Sequence, residues 1–152
     1  MANSTFEVEP AAPVATSSAE LAVRVRYREP ASTAGFVDAA WWPRSRDLEQ
    51  EIGPLLKELW ADGRDVDRVS FNTGYWNDAQ RRIEIDGHRV RLGSFSRQNA
   101  SMIELTDAWR TQHIDVLVID PATADDVAGR IFDRVAEGDN NDRPEEILRK
   151  AS

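Results

Sequence analysis

Arg81-Arg82-Ile83-Glu84-Ile85-Asp86-Gly87-His88-Arg89-Val90-Arg91-Leu92 is the stretch whose reading decides the fold. Asp-Gly between two alternating runs is a strong signal for a two-residue hairpin, because both turn positions need a positive φ. The turn fixes the register. Ile85 faces His88, Glu84 faces Arg89, Ile83 faces Val90 and Arg82 faces Arg91. A period of two then puts Ile83, Ile85, Val90 and Leu92 on a core face. Arg82, Arg89 and Arg91 lie on the other, against a lone Glu84.

Outward from the hairpin the pattern stays β. Val66 to Asn72 reads as a strand, and Asn72-Thr73-Gly74 opens a loop holding Tyr75 and Trp76. Ser101 to Thr106 is another strand, and Val116 to Ile119 is apolar on both faces, which places that strand inside the sheet. Towards the N-terminus, Leu21, Val23, Val25 and Tyr27 alternate with Ala22, Arg24, Arg26 and Arg28, and Gly35 to Trp41 forms a short strand. Leu48, Ile52, Leu55, Leu56, Leu59 and Trp60 make one helical stripe. Asp47 is the expected N-cap, Gln50 the partner in a capping box, Pro54 a kink and Gly63 the stop. Thr123 is expected to cap a second helix with a stripe of Val127, Ile131, Phe132 and Val135, where Ala124 and Ala128 permit close approach.

These elements predict an α+β fold in a single domain: a twisted, mainly antiparallel sheet of five to seven strands covered by two helices. The domain is expected over residues 21–136, after a disordered tail at 1–20 and before an acidic, poorly ordered tail at 137–152 in which Pro144 starts a short helix.

Composition removes several chemistries. The chain has 152 residues, no cysteine, and therefore no disulfide framework and no thiolate nucleophile or metal ligand. No apolar run approaches the roughly 20 residues that span a membrane, and MANSTFEVEP is not a secretory signal, so a cytoplasmic location is expected. The net charge of −8 divides into −3 over residues 1–20, −1 over 21–119 and −4 over 120–152. Nucleic acid is accordingly not the expected partner. Lys57 and Lys150 are the only lysines, an arginine bias that points to a GC-rich bacterial genome.

The box Trp41-Trp42-Pro43-Arg44-Ser45-Arg46-Asp47-Leu48 concentrates aromatic and cationic side chains at a helix start. Arg44 and Arg46 could attract phosphate or carboxylate there, with Trp41 or Trp42 stacking a ring. The competing reading is a structural corner with one tryptophan packed inward, and the usual burial of tryptophan favours it. Arg82, Arg89 and Arg91 could bind a polyanion, or simply solvate an edge with Glu84 pairing Arg89. Binding gains if Arg24, Arg26 and Arg28 join that face. Asn72, Tyr75 and Trp76 offer a polar-aromatic loop, or a lid over the core, and Trp109 sits at a loop tip.

Gly35-Phe36-Val37-Asp38, the box at 41–48, Val69-Ser70-Phe71-Asn72 with Trp76, Arg89-Val90-Arg91-Leu92-Gly93, and Leu117-Val118 before Pro121 together resemble a family of small actinobacterial proteins carrying a domain of unknown function. The resemblance covers about residues 21–136. The chain departs from it at Ala39, where glycine is commoner, and at Asp120, where a second proline is commoner. It implies a lineage and a cytoplasmic location, and carries no activity, cofactor or catalytic residue.

No Walker loop, G-x-S-x-G or HExxH spacing is present, so no cofactor, metal ligand or catalytic residue is assigned. The leading expectation is a non-enzymatic binding or regulatory module for an anionic or acidic partner, either a protein or a small molecule. Its alternatives are a small hydrolase or lyase using Asp38, His88 or His113 in a pocket near Asn72 and Trp76, and a structural homo-oligomer joined through an exposed sheet edge.

Overall fold

The computed structural model describes residues 22–29, 35–109 and 111–152. Among them, seven strands form one open sheet: β1 (Val25–Tyr27), β2 (Ala39–Trp41), β3 (Arg68–Asn72), β4 (Arg82–Ile85), β5 (His88–Phe95), β6 (Met102–Thr106) and β7 (His113–Val118). Their order across the sheet is β1-β2-β7-β6-β3-β5-β4. Four neighbouring pairs are antiparallel, while β2–β7 and β3–β5 run parallel. The helices are α1 (Leu48–Ala61), α2 (Asp125–Ala136) and α3 (Pro144–Ala151). The α+β class and mainly antiparallel sheet are as expected, with one helix more.

The two faces of the sheet are covered unequally. Leu48, Ile52, Leu55, Leu56 and Leu59 of α1 pack on Trp41, Val69, Phe71, Val90, Leu92, Ile103, Leu105 and Val116, so one face is closed from end to end. On the opposite face, Ile131 and Val135 of α2 and Ile147 of α3 cover Val37, Ala40, Leu117 and Ile119 at the β2–β7 end, with Met102 of β6 at the margin. β7 is thus buried on both sides, as its apolar run requires. Among the described residues, no helix lies on the rest of that second face, across β3, β5 and β4.

The hairpin has the expected register in all four pairs. Asp86 (φ 49°) and Gly87 (φ 84°) are both left-handed, the type I′ geometry that matches strand twist. His88 stacks on Trp60 of α1 with ring centres 4.0 Å apart. At the same end of α1, Gly63 (φ 86°) completes a Schellman stop: its N–H donates to Trp60 O at 3.0 Å, and Arg64 N–H to Leu59 O at 2.9 Å. The helix continues without interruption through Pro54.

Two caps and the C-terminal segment differ from expectation. Asp47 holds the N-cap position of α1 without a side-chain capping bond, and no box with Gln50 forms. Glu51 reaches back past the helix start and fastens the preceding loop: its carboxylate accepts from Arg44 N–H (2.9 Å) and Ser45 Oγ–H (2.9 Å). At α2 the N-cap is Ala124 rather than Thr123, and Ala128, not the exposed Ala124, provides the close approach. The poorly ordered acidic tail expected at 137–152 instead ends in α3, anchored by Ile147 (1% exposed) and Ala151 (5%). Ile147, Leu148 and Ala151 form an apolar stripe, Glu146 accepts from Arg143 N–H, and Asp142 joins Arg134 to Lys150. The disordered tail expected at 1–20 lies outside the described residues, as do Leu21 and Arg110.

Candidate functional site

Two regions gather arginines with aromatic rings. The first is the corner built by the tryptophan box. Trp41, on β2, is buried (1% exposed) and stacks on Trp76 at 5.7 Å; Tyr75 meets Trp76 edge-on at 5.4 Å. Trp42 points the other way and is half-buried. Its Nε1–H donates to Asp120 O (3.1 Å), and the Arg24 guanidinium lies 3.9 Å over its ring while donating to Trp42 O and Pro43 O. Arg46 pairs with Asp120 at 2.6 Å and sits over the Tyr75 ring at 4.3 Å; Tyr75 Oη–H donates to the same carboxylate at 2.9 Å. Burial, then the Asp120 hydrogen bond, pushes the Tyr75 hydroxyl up to about 12. Burial pushes Asp120 upward, but the Ala122 N–H, Arg46 and Tyr75 together hold it below the usual carboxylate range.

The Arg44 side chain makes no ion pair among the described residues, while the carboxylate of Glu51, only 4% exposed, takes the Arg44 N–H and the Ser45 hydroxyl just before the helix. Burial and the neighbouring Arg44 lower the Arg24 guanidinium below its ordinary value. Asn72 is tied down as well, donating to Gln98 O and accepting from Gly74 N–H at 2.8 Å. Asn72 and Trp76, near which a pocket is expected, point to different faces: Trp76 lies in the α1-side core, whereas Asn72 alternates onto the other face with Ser70 and Arg68.

The second region is that other, uncovered face. Arg82 is opposite Arg91, Arg91 is opposite Arg68, Arg68 is opposite Thr106, and Thr106 is opposite His113. One rung of the sheet therefore carries three arginines side by side on β4, β5 and β3. None of the three makes an ion pair among the described residues. Glu84 and Arg89 face each other on the next rung, but the expected pairing between their side chains is absent too. Like charges directly opposite on a sheet are destabilising. Edge protection accounts for Arg82, since β4 is the edge strand, and not for Arg91 or Arg68, which lie on strands paired on both sides.

The rung forms one wall of a groove of about 980 Å³, shared with Ser70, Gln80, Gly93, Phe95, Glu104 and His113. A second, outer depression uses the same three arginines and adds Arg89, Glu84 and Ala108. Beside Ala108, Trp109 is 85% exposed. The base of its loop is fixed by Asp107, whose carboxylate accepts from the Thr111 hydroxyl, Thr111 N–H (2.7 Å) and Gln112 N–H (3.1 Å). The Thr111 hydrogen bond, foremost, keeps Asp107 below its ordinary range.

At the far end of the groove, His113 Nε2 lies 2.8 Å from Asp115 Oδ1 and 3.7 Å from Glu104 Oε2. Hydrogen bonding to Asp115, aided by Glu104 and Asp38, raises the imidazole above its ordinary value. Ligand atoms of Glu104, His113 and Asp115 all lie within 4.8 Å of one another, the donor set among the described residues that a divalent cation could use. Asp38 accepts from Asp115 N–H at 2.9 Å, so it belongs to this cluster. His88 is on the opposite face against Trp60 and cannot share a site with His113.

Arg24, Arg26 and Arg28 alternate onto the groove's face but stand on or beside β1, at the other end of the sheet. They are engaged locally: Arg26 with Asp133 (2.7 Å), Arg28 with Gly138 O (2.9 Å), Arg24 with Trp42. Of the sequence candidates, Arg82, Arg89 and Arg91 come together; Trp41, Trp42, Arg44, Arg46, Tyr75 and Trp76 form the separate corner. Arg68 was missed, because only the parallel β3–β5 pairing brings it beside Arg91.

The family described as "Family of unknown function (DUF5994)" matches residues 24–135. This chain belongs to that family. No curated protein and no solved structure matches it. In this DUF5994 member the matched span holds both the corner and the groove, while α3 lies beyond it.

Proposed function

We propose that this DUF5994 protein is a non-enzymatic binding module that captures an anionic ligand on its uncovered sheet face. One observation carries the reading: Arg82, Arg91 and Arg68 stand shoulder to shoulder, two of them on interior strands, and none of them is in an ion pair among the described residues. Guanidinium groups donate in a planar fork that suits phosphate and carboxylate oxygens, so a bound anion relieves the repulsion along the rung. The overall acidity of the chain favours a small anion over a long polyanion.

Titration with inorganic phosphate, followed by amide resonances, tests this. Saturable shifts are expected at Arg68, Arg91 and Thr106, weakening as salt is raised and vanishing in the Arg68→Gln/Arg91→Gln variant. Absence of saturable shifts at millimolar phosphate, or equal shifts in the variant, removes the reading.

The hydrolase or lyase reading draws on the contact between His113 and Asp115 in the same groove. Turnover of p-nitrophenyl phosphate that disappears in His113→Gln would favour it over simple binding.

A further inference from the structure

Phe95 lines the groove on the same face of β5 as Gly93 and Arg91. Its ring lies over Gly93: a Cβ at that glycine would come within 3.2 Å of Phe95 Cε2. Glycine leaves the strand bare where the ring rests, so Phe95 folds back along the sheet towards the arginines. The side chain is nonetheless 56% exposed. At about 3.3 Å per residue, a ring over Gly93 stands about 7 Å from the Arg91 rung. That is close to the separation between a nucleobase and its own 5′-phosphate.

We propose that the anion held on the rung is the phosphate of a nucleotide whose base stacks on Phe95. The proposal rests on the anion-binding reading above and names its ligand class. Every nucleobase presents a π face, so stacking of this kind selects nucleotides without selecting a base. Gly93 has a defined part in the design, because a Cβ there would stand 3.2 Å from Phe95 Cε2 and press on the ring. Glu84, Glu104 and Asp115 around the rung oppose a long strand running past it, which makes a free mononucleotide the occupant.

The full-length chain is titrated with inorganic phosphate, adenosine 5′-monophosphate, uridine 5′-monophosphate and a decauridylate. Both mononucleotides are expected to bind about tenfold more tightly than phosphate. Phe95→Ala should bring them down to the phosphate level and leave phosphate affinity unchanged. Phe95→Leu, which keeps bulk and loses the π face, should do most of the same. If phosphate shifts the rung and the mononucleotides bind no more tightly, the nucleotide assignment falls and the anion reading stands. If neither phosphate nor mononucleotide binds, both fall. A decauridylate that binds far more tightly per nucleotide than uridine 5′-monophosphate overturns the mononucleotide assignment in favour of a strand.

Discussion

The corner and the rung use the same ingredients and end in opposite states. At the corner, Arg46 has Asp120 and the Tyr75 ring, Arg24 has the Trp42 ring, and Glu51 has the Arg44 N–H and the Ser45 hydroxyl. On the rung, three arginines stand opposite one another in register, and none is in an ion pair among the described residues. Both regions would attract attention as basic and aromatic. Whether a charge is already matched inside the protein is what separates an arginine that holds structure from one available to a ligand.

The widest test of the contrast is removal of an indole from the corner. Trp41→Ala should lower stability by about 3–5 kcal/mol in urea unfolding, through lost stacking and the cavity left behind, with phosphate binding on the rung intact. Glu51→Ala comes next. It strands a backbone N–H and a hydroxyl at the start of α1 and should cost about 1–3 kcal/mol by the same measurement.

Arg46→Ala and Asp120→Ala belong lower in the series. Their ion pair is half-exposed, so a double-mutant cycle should find only a weak coupling. Arg91→Gln should reverse the sign, giving a melting temperature no lower than the parent's, because it removes a like-charge neighbour on both sides. A clear melting drop in Arg91→Gln would make the rung a structural element and collapse the contrast.

The smallest effect is a pH dependence. The folded-state imidazole of His113 titrates above its ordinary value, chiefly through Asp115, so its stabilisation is full below about pH 6.5 and is lost as pH rises through the raised folded value. The melting difference between the parent and His113→Gln should therefore be widest near about pH 5.5 and narrow by about pH 8.5. A gap that widens instead on the alkaline side would show that Asp115 and Glu104 do not hold a protonated ring.

Much of this is legible in the sequence alone. Asp86-Gly87 fixes its hairpin because the turn chemistry is local, and the stripes of α1 and α2 are visible because helical periodicity is local too. What escaped the sequence was contact between distant segments. Arg68 joins Arg91 through a parallel pairing that no turn announces. Glu51 sits buried in the first turn of α1 and ties down the loop before it, a contact that helical periodicity does not announce. Ile147 and Ala151 are too few apolar residues to mark α3 as docked without α2 beside it.

The parallel pairing of β3 with β5 has a consequence for linkage. A peptide spanning the hairpin contains two of the three arginines, and the third arrives only when a strand from earlier in the chain is laid alongside. An unfolded or partly assembled chain consequently has no rung to offer, so an anion that occupies it binds the native state alone and raises stability as RT ln(1 + [L]/Kd). Occupancy would then act as a checkpoint on topology, with the finished sheet as the species that retains the ligand.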